Sequence, residues 1–181
     1  MNFRRLRTAL ALGGATMFLH AAAANALPKL GEPGANASME DADGRRTTVS
    51  AFRGKPILIV YEDKDSATVN QAMKDDLAKL AKGDRYKDAV ALLPLADVSS
   101  YDFWPVKGFV KDAIREESRK VGATIYCDWD GSFRSAFDIR VGSSSIVLIG
   151  RSGAVRFATE GALSAAQREE LIALLKEEVE G

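Results

Sequence analysis

Apolar residues along this chain form two kinds of pattern, short continuous runs and longer runs with helical spacing. Residues 57–61 (Ile-Leu-Ile-Val-Tyr) form a continuous run, which is typical of a strand buried on both faces. A second buried strand is predicted over residues 89–96, where Pro94 is expected to mark an early end or a bulge. Shorter apolar runs predict further strands over residues 123–128, 145–149 and 155–159.

Helical spacing of apolar residues predicts three longer helices. The first is expected to begin at Ser66, whose hydroxyl can cap a helix N-terminus, and to end near Gly83. The second begins near Pro105, a favourable first-turn residue, and ends near Val121. The last follows residues 164–167, where serine and glutamine have the spacing of a capping box.

A hairpin is predicted ahead of these elements, because residues 37–41 and 46–49 flank the turn Asp41-Ala42-Asp43-Gly44. The resulting order is hairpin, β, α, β, α, β, β, α. Helical crossovers connect parallel strands, whereas the tight turn at residues 150–153 joins an antiparallel pair. We therefore expect an α/β fold with a central mixed sheet flanked by helices and an N-terminal β-hairpin extension. One domain over residues 27–181 accounts for all of these elements.

The first 26 residues have the three parts of an export signal. Three arginines precede residue 8, residues 8–19 are apolar, and Ala24-Asn25-Ala26 offers small residues to a signal peptidase. The apolar run is shorter than the roughly 20 residues of a spanning helix. We expect a periplasmic or secreted protein with no stable membrane span after processing. An uncleaved anchor is the alternative, and both the general secretory and the twin-arginine routes stay open.

Removing that segment changes the chemistry that is available. The single histidine, His20, lies within it, so the processed chain would lack imidazole for a Ser-His-Asp triad, a Cys-His dyad or a metal site. The chain has 25 basic and 25 acidic residues, and losing three arginines gives 22 − 25 = −3. A mildly acidic domain is a poor candidate for binding nucleic acid. We expect no metal and no cofactor.

Cys127 is the only cysteine, so no intramolecular disulfide can form. One interpretation is a one-cysteine peroxidase or a partner in a mixed disulfide, which requires a thiol pKa lowered by a cation or a helix N-terminus. The neighbouring Asp128 would oppose a thiolate, and free cysteines are commonly buried. An inert core residue is therefore the favoured interpretation.

Polar residues follow the first buried strand, where open α/β sheets bind ligands. The ligand-binding candidates in this stretch are Glu62, Asp63, Asp65 and Ser66. The alternative is an acidic turn that complements the dipole of the following helix.

Tyr101, Phe103 and Trp104 form an aromatic loop before the second helix. Such a loop is either a contact surface for a partner or a lid over the core.

The order of elements resembles the thioredoxin fold of the peroxiredoxin and TlpA-like kind. The supporting residues are Asp43-Gly44, Phe52–Pro56, Asp130-Gly131 and the stretch Ser145–Gly153. Within that superfamily the chain resembles the YtfJ family of exported bacterial proteins, on the residues Gly108–Lys111, Glu117–Lys120, Ser144-Ser145, Gly153 and Glu160–Ser164. The resemblance implies a fold and an exported location, and it implies no settled activity.

The resemblance also implies which groups are missing. In redox-active relatives the strand after Gly-Lys-Pro leads into a Cys-x-x-Cys turn at a helix N-terminus, and residues 66–69 (Ser-Ala-Thr-Val) stand there in this chain. Those relatives also carry a cis-proline before the penultimate strand, where this chain has Ser144. Ser143 and Ser144 are therefore added to the ligand-binding candidates that follow the first buried strand.

Two functions from different classes remain open at this point. One is a non-catalytic binding or accessory module of the cell envelope that recognises an envelope protein, a peptide or a small ligand near residues 62–66 and 143–144. The other is a single-cysteine thiol redox protein that uses Cys127. The accessibility and reactivity of that thiol distinguish the two.

Overall fold

A computed structural model describes residues 27–82 and 84–181 of the chain. Its seven strands form one mixed sheet in the order β2-β1-β5-β4-β3-β6-β7. The strands are β1 (Ser38–Asp41), β2 (Arg46–Thr48), β3 (Ile57–Glu62), β4 (Ala91–Asp97), β5 (Tyr126–Asp128), β6 (Ser145–Ile149) and β7 (Val155–Glu160). The helices are α1 (Gln71–Ala81), α2 (Asp84–Lys87), α3 (Val106–Val121), α4 (Ser132–Ala136) and α5 (Ala165–Glu180).

The central strand β3 carries the apolar run of residues 57–61, and all five of those residues are buried. It pairs in parallel with β4 and antiparallel with β6, so its backbone is hydrogen-bonded on both edges. Its alternate side chains enter two core clusters, one on each face of the sheet. The predicted strand buried on both faces is confirmed, as are the predicted mixed sheet and the N-terminal hairpin.

The two faces of the sheet are covered by different elements. Helices α1 and α5 pack on one face, where Met73, Leu171 and Leu175 meet Leu58 and Val60. The other face packs against short segments of the chain, including α4 and a 3₁₀ turn at Val49–Phe52. The capping box at the start of α5 is present, since Ser164 Oγ accepts from Gln167 N.

Pro94 does not interrupt β4, contrary to the prediction. β4 keeps parallel register with β3 from Ala91 to Ala96, with Pro94 opposite Val60. Ala91 N donates to Pro56 O, and alternate residues of a strand turn to opposite neighbours, so the Pro94 nitrogen faces β5. The pairing of β5 begins only at Leu95, and the missing N–H therefore costs no ladder hydrogen bond.

The predicted start of the first helix at Ser66 is wrong, because α1 begins at Gln71 with Asn70 in the N-cap position. Asp63 accounts for the difference. Its Oδ1 atom accepts hydrogen bonds from the Ser66 amide (2.8 Å) and the Ser66 hydroxyl (2.7 Å). The serine is therefore fastened back toward β3 instead of capping a helix, and residues 64–70 form turns.

Helix α4 is a feature that apolar spacing did not predict, because five residues are too few to show helical periodicity. It follows Asp130-Gly131, where Gly131 has φ of 73°. Asp128 holds its start: the buried carboxylate accepts from the amides of Phe133 (3.3 Å) and Arg134 (3.0 Å). The same carboxylate accepts from Tyr61 Oη at 2.9 Å, which ties α4 to the central strand.

The predicted export signal lies outside the described residues. Within the part of the chain that the structure describes, no helix has both the length and the apolar character needed to cross a membrane.

Replacing Asp128 by alanine is expected to lower the free energy of unfolding by about 2–3 kcal/mol, because Tyr61 Oη and two amides lose their acceptor in the interior. Asp130→Ala is the matched control. That exposed carboxylate accepts from the Ser132 amide at 3.0 Å on the surface, and its loss should cost less than about 1 kcal/mol. Urea denaturation of both variants measures the difference, and equal losses would contradict a structural role for Asp128.

Candidate functional site

The carboxyl end of β3 meets the beginning of β6 at the edge of the sheet where the ligand-binding candidates were predicted. Two of the candidates come together there: Ser144 Oγ donates to Glu62 Oε1 at 3.1 Å. Ser144 is 1% exposed, and its position just before β6 follows from the pairing of Tyr61 with Ser145. Residues 82 positions apart in sequence thus share one hydrogen bond.

Asn70 is the residue that fastens this edge together. Its Nδ2 atom donates to Ser144 Oγ (2.8 Å) and to Gly161 O (2.9 Å). Its Oδ1 atom accepts from Leu163 N at 2.9 Å, so the side-chain amide is bonded at both ends. With a side chain that is only 3% exposed, Asn70 joins the start of α1 to β6 and to the loop after β7.

Lys74, one turn further along α1, supplies the positive charge of the site. Its Nζ atom lies 2.6 Å from Glu62 Oε2 and donates to Ala67 O at 2.6 Å. Burial raises the pKa of Glu62 above its ordinary value, and the Lys74 ammonium opposes this shift without cancelling it. Glu62, Asn70, Lys74 and Ser144 are called the β3-edge network below.

The remaining predicted candidates lie beside this network without joining it. Asp63 and Ser66 bond to each other within the turn, and Asp65 adds only its backbone amide, which donates to Asp63 Oδ1. Asp65 is exposed. Ser143 is half-buried, and its hydroxyl donates to Arg140 O at 2.9 Å in a solvent-exposed hydrogen bond.

Sequence reasoning missed Asn70 and Lys74. Both fall on the polar side of the apolar pattern that predicted the helix, and a polar helix side is ordinarily read as a solvated one. One signal was available, since asparagine is a favoured residue at helix starts.

The arrangement offers little chemistry of its own. Each polar atom at the centre of the network already has a partner, and Ser144 Oγ lies next to an amide and a carboxylate that is itself paired with Lys74. Within residues 27–82 and 84–181, no three histidine, cysteine or acidic side chains lie close enough together to hold a metal ion.

Cys127 lies on β5, two strands away from β3, which corresponds to about 10 Å across the sheet. It is 2% exposed and packs with Val98 and Trp129. Burial, followed by the Glu40 carboxylate opposite it on β1, raises the pKa of its thiol to about 12. The thiol is therefore protonated at neutral pH and shielded from solvent.

The aromatic loop divides into a buried and an exposed part. Tyr101 packs against the cluster around Trp129, whereas Phe103 is 56% exposed and Trp104 is 91% exposed. Phe109, in the first turns of α3, is 70% exposed. Val110 and Ile114 of α3 cover this part of the core instead. Phe103 and Trp104 therefore do not form the lid over the core that was one of the two interpretations of the aromatic loop.

Comparison with known proteins finds a family and a fold. A family model described as "Bacterial protein of unknown function (YtfJ_HI0045)" matches residues 62–178, which is more than half of the chain. The match contains the β3-edge network, Cys127 and the exposed aromatic residues. A search of the curated proteins found no significant match.

Similar solved structures all have thioredoxin-like folds. A candidate protein disulfide isomerase from Bacteroides thetaiotaomicron superposes with a TM-score of 0.63 and 17% identity, covering 85% of this chain and 92% of its own. The exposed lipoprotein thioredoxin of Streptococcus pneumoniae gives 0.58 and 16%, covering 79% and 99%. A thiol peroxidase from Chromobacterium violaceum gives 0.58 and 13%, covering 84% and 88%. At these identities the likeness shows the fold, and the predicted thioredoxin-like architecture is confirmed.

Ser144→Ala is expected to lower the free energy of unfolding by about 1–2 kcal/mol, because Glu62 and Asn70 lose a shared partner in a buried place. Ser143→Ala removes a hydroxyl one residue earlier, where its hydrogen bond is exposed to solvent, and it should change stability by less than about 0.5 kcal/mol. Chemical denaturation of the pair tests the network. A Ser144→Ala variant as stable as Ser143→Ala would show that the network contributes nothing to folding.

Proposed function

The chain belongs to the YtfJ family of bacterial proteins of unknown function, and we propose that it is a non-catalytic binding module of the cell envelope. The observation that carries this proposal is the position of its one sulfur nucleophile. Cys127 is enclosed in the sheet on β5, and the turn after β3 contains no cysteine. The similar structures named for thiol chemistry thus share the fold with this chain, while the chain lacks an accessible thiol.

The pKa of Cys127 gives a magnitude for this argument. With a pKa of about 12, only about one thiol in 100,000 is ionised at pH 7. Thiolate is the nucleophile in disulfide exchange and in peroxide reduction, so the rate of either reaction falls with that fraction. The Glu40 and Asp41 carboxylates beside β5 act against ionisation, and the Lys107 and Lys111 ammonium groups favour it without cancelling the rise in the pKa.

An envelope location is supported by the amino-acid pattern of the first 26 residues and by a similar solved structure that is described as exposed. The pneumococcal structure with the same fold is described as an exposed lipoprotein. A thioredoxin-like domain outside the cytoplasm that has no exchangeable thiol is suited to binding another envelope component.

The surface that fits a partner is formed by Phe103, Trp104 and Phe109. These three aromatic side chains lie within seven residues of one another, and each exposes more than half of its area. Single exposed apolar residues are ordinary, but exposed aromatic clusters are typical of protein interfaces. The surface lies at the carboxyl end of β4, beside the carboxyl end of β3.

Charge favours a protein partner over an anionic membrane at this surface. Lys107 and Lys111, the lysines of the first turns of α3, are paired with Asp102 (2.6 Å) and Glu40 (3.0 Å). Their ammonium groups also lie over the ring of Trp129. Neutralised lysines offer little attraction to lipid phosphates, whereas an apolar pocket on a protein complements exposed aromatic rings.

Iodoacetamide is expected to alkylate Cys127 at least a hundredfold more slowly in the folded protein than in urea, because the thiol is buried and protonated. Intact-mass spectrometry over time measures both rates. The alternative, a single-cysteine redox protein, predicts rapid modification of the folded protein. It also predicts peroxide consumption or disulfide exchange that disappears in both Cys127→Ala and Cys127→Ser; that result would overturn the proposal.

The triple variant Phe103→Ala/Trp104→Ala/Phe109→Ala is expected to weaken binding to the envelope partner at least tenfold. The partner is first identified by a photo-crosslinking residue placed at position 104, and its affinity is then measured with purified proteins. The matched control, Leu30→Ala/Val121→Ala/Val141→Ala, removes exposed apolar groups elsewhere and should leave the affinity unchanged.

Trp104 provides a second readout. The chain has two tryptophans, and Trp129 is buried, so the red-shifted part of the emission comes from Trp104. Binding of the protein partner should shift that emission to the blue. The same shift on vesicles of phosphatidylglycerol, with no crosslinked protein, would contradict a protein partner.

A further inference from the structure

The other end of strands β3 and β6 contains a depression of about 300 Å³. It lies between the residues that lead into Ile57 and those that follow Ile149, so it is about 17 Å along β3 from the β3-edge network. Buried apolar side chains of Val49, Ile57 and Ile149 line its base. It is separate from both the aromatic surface and the β3-edge network.

Three cationic side chains surround this base: Arg53, Lys55 and Arg151. Most arginines and lysines of the described residues pair with carboxylates, but these three form no ion pair within residues 27–82 and 84–181. Lys55 Nζ donates to Asp88 O (2.6 Å), and Arg151 Nη2 donates to Val179 O (3.1 Å). Backbone carbonyls satisfy part of their hydrogen-bonding capacity and leave their positive charge uncompensated.

An acidic group close to Arg151, Glu178, is already engaged. Its carboxylate accepts from the Arg151 amide at 2.8 Å and pairs with Arg156 at 3.2 Å. It lies against Gly150 and is absent from the residues that line the depression. The lining contains no acidic residue, so the local potential is positive.

The walls of the depression are held in place by hydrogen bonds and close contacts between the chain segments that form them. Gly34 N donates to Gly153 O at 2.9 Å, and Ser50 N donates to Asn36 Oδ1 at 2.9 Å. A Cβ atom at Gly34 would come within 2.5 Å of Ile149 Cδ1, so only glycine allows this approach. A fixed apolar base with a cationic rim requires little reorganisation when a ligand enters.

We propose that this depression binds a small organic anion, a carboxylate or phosphate monoester attached to a short apolar body. The apolar part contacts Val49, Ile57 and Ile149, and the anionic group is placed among Arg53, Lys55 and Arg151. Arginine and lysine together suit either anion, because the guanidinium bonds in a fork and the ammonium acts as a point charge. An inorganic anion alone would leave the apolar base uncovered.

Hexanoate tests the proposal, with acetate and hexylamine as matched probes. Titration of ¹⁵N-labelled protein followed by NMR should show saturable shifts at the amides of Gly34, Gly54 and Gly153, which line the site, and none at Gly122 or Gly161. Hexanoate should bind at least fivefold more tightly than acetate, and hexylamine should not saturate. Equal binding of hexylamine, shifts elsewhere or no saturation with hexanoate would overturn the proposal.

Charge-removing variants make the test specific to the rim. Arg53→Gln/Lys55→Gln should weaken hexanoate binding at least tenfold, because both residues are exposed and their loss leaves the core unchanged. Lys64→Gln/Arg119→Gln removes two positive charges that do not line the depression, and Lys64 lies beyond the opposite end of β3, so this variant should change the affinity less than twofold. Equal effects of the two double variants would reject the site.

The source of the anion is distinguished with vesicles that contain phosphatidic acid, a lipid whose headgroup is a phosphate monoester. If the protein sediments with them, and hexanoate or the Arg53→Gln/Lys55→Gln change releases it, the anion belongs to a lipid. If hexanoate binds and the vesicles do not, it is a free small molecule. Failure of hexanoate binding leaves the aromatic surface and its partner unaffected, since the two lie at different ends of the sheet.

Discussion

The hydrogen bonds of the Asn70 side-chain amide are the constraint that fixes the edge of the sheet where β3 ends and β6 begins. Burial obliges each of its polar atoms to find a partner, and it does so on two separate segments, at Ser144 before β6 and at Gly161 and Leu163 in the loop after β7. Those bonds fix the start of α1 against β6 and against the loop after β7. In doing so they close, with the chain's own hydrogen bonds, the edge of the sheet where redox-active relatives present thiols.

Because that edge is closed, the groups available for binding lie on other surfaces of the domain. Ser144 and Glu62, which the sequence offered as ligand-binding residues, satisfy each other and Lys74. Exposed and unpaired groups lie elsewhere, as aromatic rings around the start of α3 and as positive charges at the far end of β3. Under the proposed function, the thioredoxin-like framework is kept while the contact surfaces lie away from this edge of the sheet.

Features encoded in local pattern were predictable from the sequence. The run Ile57–Tyr61, the hairpin turn and the capping box at Ser164 each follow from a few neighbouring residues, and each is present. The failures came from hydrogen-bond partners and strand pairings that an apolar pattern does not show. Ser66 looks like a helix cap until Asp63 takes its hydroxyl, and Pro94 looks like a strand breaker until β5 is seen to begin one residue later. The role of Asn70 depends on residues more than seventy positions away.

The same reasoning explains why two cysteines at residues 66 and 69 would not by themselves recreate a thioredoxin site. A thiolate is stabilised by the free amides and dipole at a helix N-terminus. In this chain α1 begins at Gln71, and the amide of Ser66 is already bonded to Asp63. A thiol at position 66 would therefore stand before the helix instead of at its first turn. A thioredoxin-type thiol site at this turn would therefore require a helix that begins earlier as well as two cysteines, and the bonds of Asn70 fix the start of α1 where it is.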